Sequence, residues 1–330
     1  MTTSKIPAAS PASGTPSTAS ALRALKGVRV LSLSLNLPGP AALMRCRQMG
    51  ATCVKLNPPV PKGAPAGATG DPMSHHLNGP YAQLHESVRQ VSADLKTEAG
   101  QKILHRELAK TDVLLTSFRP SALTKLKLDW KTLHKLYPAL SQVAIVGAAG
   151  ARAEEPGHDL TYMADNGLVK GLELPPTLYA DMGGSLMASE AVLQAALIQK
   201  TAIAAGKSAK GVFIEVALAD ASAYLGLPLS WGLTRAPGAR GKGDMGGSVG
   251  GAHAGYRVYP CKDGRVAVAA LEPHFAQSLR EAAGVMGADI RAMFEPATHQ
   301  AIAAFLASQT CKQLNILAVA KDIPLHTMAP

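Results

Sequence analysis

The chain has 330 residues, of which 47% are hydrophobic and 17% charged, and its formal net charge is +10. This length exceeds one small core and predicts one large or two ordinary domains. The composition is typical of a soluble globular protein, and no run of about 18 apolar residues predicts a membrane helix or a membrane partner. The basic residues are spread from Arg23 to Arg291 with few aromatic residues among them, which argues against nucleic acid and fits a small phosphorylated ligand.

The N-terminal tail and the cysteines bear on location and redox state. Residues 1–24 are rich in Ser, Thr, Ala and Pro without an apolar signal core, so we expect a disordered tail. The cysteines, Cys46, Cys53, Cys261 and Cys311, form no CxxC pair and have no histidine at metal-ligand spacing. We therefore expect free thiols in a reducing cytoplasm, and no metal site.

Strands and helices alternate along the first part of the chain. A buried strand is expected from Leu25 to Leu35, a helix over Ala41–Met49 and a second strand over Ala51–Leu56. This order predicts a βαβ unit, and hence an α/β fold with a mainly parallel sheet. The turn before the helix lacks the GxGxxG pattern of a dinucleotide site. Further strands are expected at 88–95, 112–118, 140–146 and 211–218, and further helices at 97–110, 121–126, 131–137, 187–205 and 219–233.

The last part of the chain predicts a smaller domain. Lys262-Asp263-Gly264, between two short strands, predicts a hairpin, and helices follow at 273–285, 299–308 and 312–321. We expect a large α/β domain at 25–185, linkers with a buried helix and a Gly-rich loop at 186–255, and a small α+β domain at 256–330. Because the helix at 187–205 carries almost no charge, we expect it to be buried on most sides.

Three acidic or basic groups are candidates for proton transfer. His158 lies in a Gly-His-Asp turn, and Asp181 precedes Met182-Gly183-Gly184. The segment between His158 and Asp181 is long enough for a helix and a loop that would bring both residues into one cleft. Glu272, before Pro273, comes much later. Each also has an ordinary structural interpretation: a hydrogen-bonded loop histidine, an aspartate N-cap and a glutamate that opens a helix.

The ordered motifs resemble those of the family III CoA-transferases, the CaiB/BaiF group that includes α-methylacyl-CoA racemase. The resemblance covers about residues 25–330 and rests on Gly27-Val-Arg-Val-Leu, Pro38-Gly39-Pro40, Met49-Gly50-Ala51, Ala93-Asp94-Leu95-Lys96, Phe118-Arg119-Pro120, Gly157-His158-Asp159, Ala180-Asp181-Met182-Gly183-Gly184 and Leu271-Glu272-Pro273. It implies a Rossmann-like core, with a parallel sheet flanked by helices, a smaller α+β domain, and an interlocked homodimer.

Within the family, the chain is most similar to the racemase branch. That resemblance implies that His158 and Asp181 are the two catalytic acid/bases and that Glu272 supports the histidine. The resemblance also implies that the substrate is an acyl-CoA thioester with a 2-methyl-branched acyl chain. Because CoA is part of this substrate, no separate cofactor is expected. Racemisation needs a base on one face of the α-carbon and an acid on the other. Backbone N–H groups at the start of the segment 182–188 are candidates to face the enolate oxygen.

The basic zone offers four side chains for the CoA phosphates, namely Arg89, Lys96, Arg119 and Lys125. Other CoA-side motifs of the family are altered in this chain, for example at Asn57-Pro58. Two alternatives to a racemase therefore stay open. One is a family III CoA-transferase with Asp181 as nucleophile, which the absence of glutamine from the Gly-rich loop disfavours. The other is a catalytically weakened CoA-binding paralogue.

Overall fold

The structure is a computed structural model that describes residues 23–234, 247–287 and 289–330. Nearly all of the expected N-terminal tail and a large part of the Gly-rich loop lie outside the described residues. The chain divides into two compact units, and the division falls between Leu225 and Gly226. This point lies inside the segment for which the sequence predicts linkers.

Six parallel strands form the sheet of the first unit, as far as the structure describes the chain, in the order β3-β2-β1-β4-β5-β6. They are β1 (Arg29–Ser32), β2 (Thr52–Asn57), β3 (Arg89–Ser92), β4 (Val113–Thr116), β5 (Ser141–Val146) and β6 (Phe213–Ala217). The order reverses between β1 and β4, as in Rossmann-like doubly wound sheets. The expected α/β fold with a parallel sheet flanked by helices is confirmed.

Helices cover both faces of this sheet. They are α1 (Pro38–Gln48), α2 (Pro72–His76), α3 (Asn78–Leu84), α4 (Glu98–Leu108), α5 (Pro120–Lys125), α6 (Trp130–Leu136), α7 (Asp159–Asp165), α8 (Tyr179–Ala204) and α9 (Leu218–Leu225). Successive strand residues point to opposite faces, so Val30 and Val113 share a core with α1 and α8, whereas Leu31 and Leu114 share one with α4. Burial on both faces explains why these strands are nearly continuous apolar runs.

Helix α8 begins eight residues before the helix expected at 187–205, and its first turns include Gly183 and Gly184. Both glycines are buried against α9, and a Cβ atom on Gly184 would overlap a leucine side chain there. The glycines thus allow two helices to pack closely. The expectation that this helix is buried on most sides is wrong for the single chain, since Leu197 is 63% and Ile203 61% exposed.

A buried ion pair anchors the loop that follows β1. Lys55 Nζ lies 3.0 Å from Asp71 Oδ2, both side chains are fully buried, and burial lowers the pKa of the lysine. Asp71 also accepts the N–H groups of Met73, in the first turn of α2, and of Asn36, each at 3.1 Å. Asn36 has a positive φ of 65°. One carboxylate therefore fixes both the start of a helix and a left-handed residue beside the sheet edge.

The second unit contains a three-stranded antiparallel sheet and helices. Its elements are α10 (Leu227–Ser230), β7 (Tyr256–Cys261), β8 (Gly264–Ala269), α11 (Pro273–Ala282), α12 (Pro296–Ala307), α13 (Cys311–Lys321) and β9 (Leu325–Met328). The predicted hairpin is confirmed: Cys261 pairs with Gly264 across its two-residue turn. Val266, Leu279 and Leu314 belong to a separate core. In the described part of the chain, none of the helices has the length and apolar character needed to cross a membrane.

Candidate active site at the carboxyl edge of the parallel sheet

A cavity of about 310 Å³ opens at the carboxyl edge of the six-stranded sheet. Its walls include Asn36, after β1, Phe118 and Arg119, after β4, and Gly147, after β5. The cavity thus lies where the strand order reverses, which is where open parallel sheets generally bind ligands. The buried Lys55–Asp71 pair holds the β1 side of this wall.

His158 and Asp181, the two predicted proton-transfer residues, both line this cavity. His158 precedes α7; its N–H donates to the Thr161 hydroxyl oxygen (3.0 Å), and its carbonyl accepts from the same hydroxyl (2.7 Å). These bonds fix the backbone at the start of α7, while the His158 side chain is exposed. Asp181 lies in the first turn of α8. Two helix starts therefore bring the two groups to one cavity.

The environment of Asp181 favours its protonated form. Burial is the largest cause that raises the pKa of Asp181 from 3.8 to about 6; the carboxylate of Asp159 raises it further, and the charge of His158 acts in the opposite direction. A carboxyl group with this pKa can give up or take up a proton close to neutral pH, in the range where imidazole side chains titrate. The cavity therefore holds two groups suited to accept or donate a proton.

Asp159 supports Asp181, a role that the sequence analysis did not assign to it. Its side chain is buried, and Oδ1 accepts the backbone N–H of Asp181 at 2.9 Å. The contact joins the first turns of α7 and α8, so it positions Asp181 and places a second negative charge beside it. The only signal in the sequence is its place directly after the histidine of the Gly-His-Asp turn.

Tyr162 is a second cavity residue that the sequence analysis missed. It is buried one turn after His158 on α7, and burial, followed by the charge of Asp181, raises the pKa of its phenol. Its hydroxyl occupies the space beside Gly147 and Gly157, where a Cβ atom on either glycine would overlap it. The two glycines, which sequence alone assigns to loops, thus make room for a phenol at the cavity wall.

The expectations for Glu272 and for the backbone N–H of Met182 have different outcomes. Glu272 is the residue before α11, in the second unit, and its support of His158 stays a prediction. The expectation that the N–H of Met182 faces an enolate oxygen is wrong. Because α8 starts at Tyr179, that group already donates to the carbonyl of Leu178 at 3.0 Å.

Three of the four predicted CoA-side cations lie along the carboxyl edge of the sheet. Arg119 lines the cavity itself, and Lys96 and Lys125 line a surface depression of about 580 Å³. An apolar pocket of about 180 Å³ lies between these sites, sharing Phe118 with the cavity and Leu126 with the depression. We call this succession the edge track. It consists of a basic depression, a mainly apolar pocket and the His158–Asp181 cavity, with lining residues shared between neighbours.

Arg89 and the described metal-ligating groups lie elsewhere. Arg89 is at the amino end of β3 and forms an ion pair with Glu107 of α4, so its charge already has a protein partner. Ligand atoms of Cys261, Asp263 and Cys311 lie within 4.8 Å of one another in the second unit. The described residues of the second unit therefore bring a possible metal-binding group together, although the cysteines are 50 residues apart in sequence.

Comparison with known proteins shows the family to which the chain belongs. The model of CoA-transferase family III matches residues 25–329. The chain is 34% identical over 166 residues to the cinnamoyl-CoA:phenyllactate CoA-transferase of Clostridium sporogenes, which covers 48% of this chain and 40% of that relative. It is 30% identical over 276 residues to the α-methylacyl-CoA racemase of Mus musculus, which covers 79% of this chain and 65% of the relative.

Solved structures agree on the fold. A CAIB/BAIF family protein from Brucella suis has a TM-score of 0.69 at 21% identity, with 93% of this chain and 83% of that chain covered. A hypothetical protein from Mycobacterium tuberculosis has a TM-score of 0.72 at 22% identity, with 93% and 85% covered. At these identities the likeness shows the fold alone. The chain spans 40% to 65% of the length of the two curated relatives.

Proposed function

The chain belongs to CoA-transferase family III, and from that premise we propose that it racemises or epimerises the α-carbon of a 2-methyl-branched acyl-CoA. The observation that carries the proposal is the placement of His158 and Asp181 on one cavity, with the pKa of the carboxyl group raised to about 6. An imidazole and a carboxyl group with this raised pKa suit a reaction in which each must act as the base in one direction and as the acid in the other.

In the proposed reaction, one proton is removed from the α-carbon and another is added to its opposite face. In one direction the Asp181 carboxylate removes the α-proton and the imidazolium of His158 delivers a proton to the opposite face. In the other direction neutral His158 removes the proton and protonated Asp181 delivers one. The thioester carbonyl carries the negative charge between the two steps. Burial and Asp159, which raise the pKa of Asp181, make its carboxylate a stronger base than an exposed aspartate.

The edge track supports an acyl-CoA as the substrate. A long ligand with phosphates at one end and a thioester at the other suits three successive sites: a basic depression at Lys96 and Lys125, a mainly apolar pocket, and the cavity lined by His158 and Asp181. Lys96→Glu or Lys125→Glu should raise the dissociation constant of the acyl-CoA. Lys102→Glu, on the exposed face of α4, is the matched control and should leave it unchanged.

Deuterium incorporation tests the proposed reaction. A single enantiomer of a 2-methylacyl-CoA, incubated with the protein in D₂O without any free acid, should gain one deuterium at C2 and lose its optical purity. Asp181→Asn and His158→Asn should each slow racemisation by at least about 100-fold, and the variant that lacks the base facing the α-proton of the enantiomer used should lose its exchange as well. The matched controls are His76→Asn and Asp165→Asn, which change exposed groups outside the cavity. Exchange that persists in both cavity variants contradicts the proposal.

A CoA-transferase reaction is the second candidate. The similarity to a curated CoA-transferase at 34% identity favours it, and the same cavity offers Asp181 as a carboxylate nucleophile. A free carboxylic acid would then be required, and an acyl or CoA adduct on Asp181 would be found by mass spectrometry. Saturable acyl-CoA binding with neither reaction would identify the third alternative, a catalytically weakened binding paralogue.

We further propose that the chain forms a homodimer. The exposed apolar side chains of α8 and α9, which include Leu197, Ile198, Ile203 and Tyr224, are the observation in its favour. Sedimentation equilibrium should give twice the chain mass. Leu197→Glu should shift the protein toward the monomer, whereas Glu190→Gln, on an exposed part of the same helix, should not. A monomeric wild-type protein contradicts this proposal.

A further inference from the structure

A three-residue cluster at one corner of the second unit contains two thiols and a carboxylate. Cys261 ends β7, Asp263 lies in the turn that follows, and Cys311 begins α13. The two sulfur atoms are 3.5 Å apart, and one ligand atom from each of the three residues lies within 4.8 Å of the others. Both cysteines are partly exposed, so a solute can reach them.

The cluster is preorganised by the backbone around it. Asp263 Oδ1 accepts the backbone N–H of Cys311 at 2.7 Å, which ties the hairpin turn to the start of α13. Gly264 keeps the space beside the thiol free, because a Cβ atom there would lie 3.1 Å from Cys311 Sγ. Hairpin pairing between Cys261 and Gly264 holds the other cysteine in register.

We infer that Cys261, Cys311 and Asp263 bind a thiophilic divalent cation of the Zn²⁺ class, with water in the remaining coordination position. In a tetrahedral Zn²⁺ site with Zn–S bonds of about 2.3 Å, two thiolates lie about 3.8 Å apart. The observed sulfur separation of 3.5 Å therefore needs only a small adjustment, whereas a disulfide requires the sulfurs to approach to about 2.05 Å.

The charges of the cluster favour the same ligand class. A dication takes the place of the thiol protons and removes the repulsion that two thiolates and a carboxylate at this spacing would otherwise have. Mixed sulfur and oxygen donors at tetrahedral spacing select Zn²⁺ over Mg²⁺ or Ca²⁺, which prefer oxygen ligands alone. The bound ion would cross-link the β7–β8 hairpin to α13, which otherwise meet here through the Asp263–Cys311 hydrogen bond.

Cobalt substitution tests the site in the full-length reduced protein. Titrated Co²⁺ should produce visible d–d bands and a sulfur-to-cobalt charge-transfer band that saturate at one equivalent per chain. Added Zn²⁺ should abolish both, since it binds such sites more tightly. Cys261→Ser and Cys311→Ser should each lose the charge-transfer intensity of one thiolate and bind cobalt more weakly. Asp263→Asn should move the titration midpoint to higher cobalt concentration.

The matched control is Asp289→Asn, which changes an exposed carboxylate that is paired with Arg291 in the same unit. It should bind cobalt like the wild type. A second readout does not depend on the variants. Saturating Zn²⁺ should slow the alkylation of Cys261 and Cys311, which is monitored by peptide mass spectrometry. It should also raise the melting temperature of the protein. Absence of a one-equivalent band, or an unchanged band in both serine variants, overturns the inference. The inference is also overturned if Cys261 and Cys311 form a disulfide in air and the reduced protein binds neither Co²⁺ nor Zn²⁺.

Discussion

Neutralising Asp159 should lower the pKa of Asp181. The present pKa of about 6, against 3.8 for a free aspartate, results first from burial and second from Asp159. Because burial is the larger of these two causes, the charge of Asp159 accounts for less than half of their combined upward effect, which the charge of His158 partly offsets. Asp159→Asn should therefore lower the pKa of Asp181 by about 0.5 to 1, equivalent to about 0.7 to 1.4 kcal/mol. The asparagine oxygen can still accept the N–H of Asp181, so the helix contact is retained.

Two measurements follow this change. Carboxyl ¹³C NMR, with the Asp181 signal assigned from Asp181→Asn, gives the pKa directly and does not require activity. The acidic limb of the exchange rate against pH should move in the same direction and by the same amount, since the carboxylate is the form that removes the proton. Asp165→Asn, at the other end of α7, is the control. An unchanged or higher pKa in Asp159→Asn would refute this explanation of the Asp181 environment.

Three further predictions concern stability and can be checked by thermal and denaturant unfolding. A carboxyl whose folded-state pKa is raised from 3.8 to about 6 makes the fold less stable as pH rises through that interval. Asp181→Asn should therefore be the more stable protein above pH 6, by up to about 3 kcal/mol, with the gain disappearing below pH 4. Gly184→Ala should cost about 1–3 kcal/mol through overlap with α9. Its control is Gly79→Ala, where a Cβ atom meets nothing within 4 Å, and which should be neutral or stabilising by about 0.4–1 kcal/mol. Equal stability changes in Gly184→Ala and Gly79→Ala would contradict the close packing of α8 on α9. Lys55→Met should cost about 3–5 kcal/mol by leaving a buried carboxylate unpaired, whereas Lys102→Met, in an exposed pair, should change stability by less than about 1 kcal/mol.

The sheet could be predicted well from sequence, because a parallel strand buried on both faces is a short apolar run between turns. The same reasoning fails at the start of α8. Glycines ordinarily weaken a helix, and only the neighbouring helix shows why Gly184 is tolerated inside one.

The candidate site was predictable in part. His158 and Asp181 carry their own signal, as titratable residues in motifs, and the structure brings both to one cavity. Tyr162 has no such signal, and Asp159 has only its place after His158 in the Gly-His-Asp turn, since the importance of both comes from burial and from their neighbours in the fold. The same holds for Cys261 and Cys311, which meet only when β7 and α13 pack together.

The glycines around Tyr162 have a practical consequence for protein engineering. The space beside the phenol exists because Gly147 and Gly157 have no side chains. Each is therefore a position at which one added methyl group would force the phenol to move and so change the shape of the cavity wall. Alanine at either glycine would overlap ring carbons of Tyr162 as well as its hydroxyl, so the ring itself would have to move. The two single substitutions therefore offer two different ways to reshape the cavity while His158 and Asp181 are unchanged.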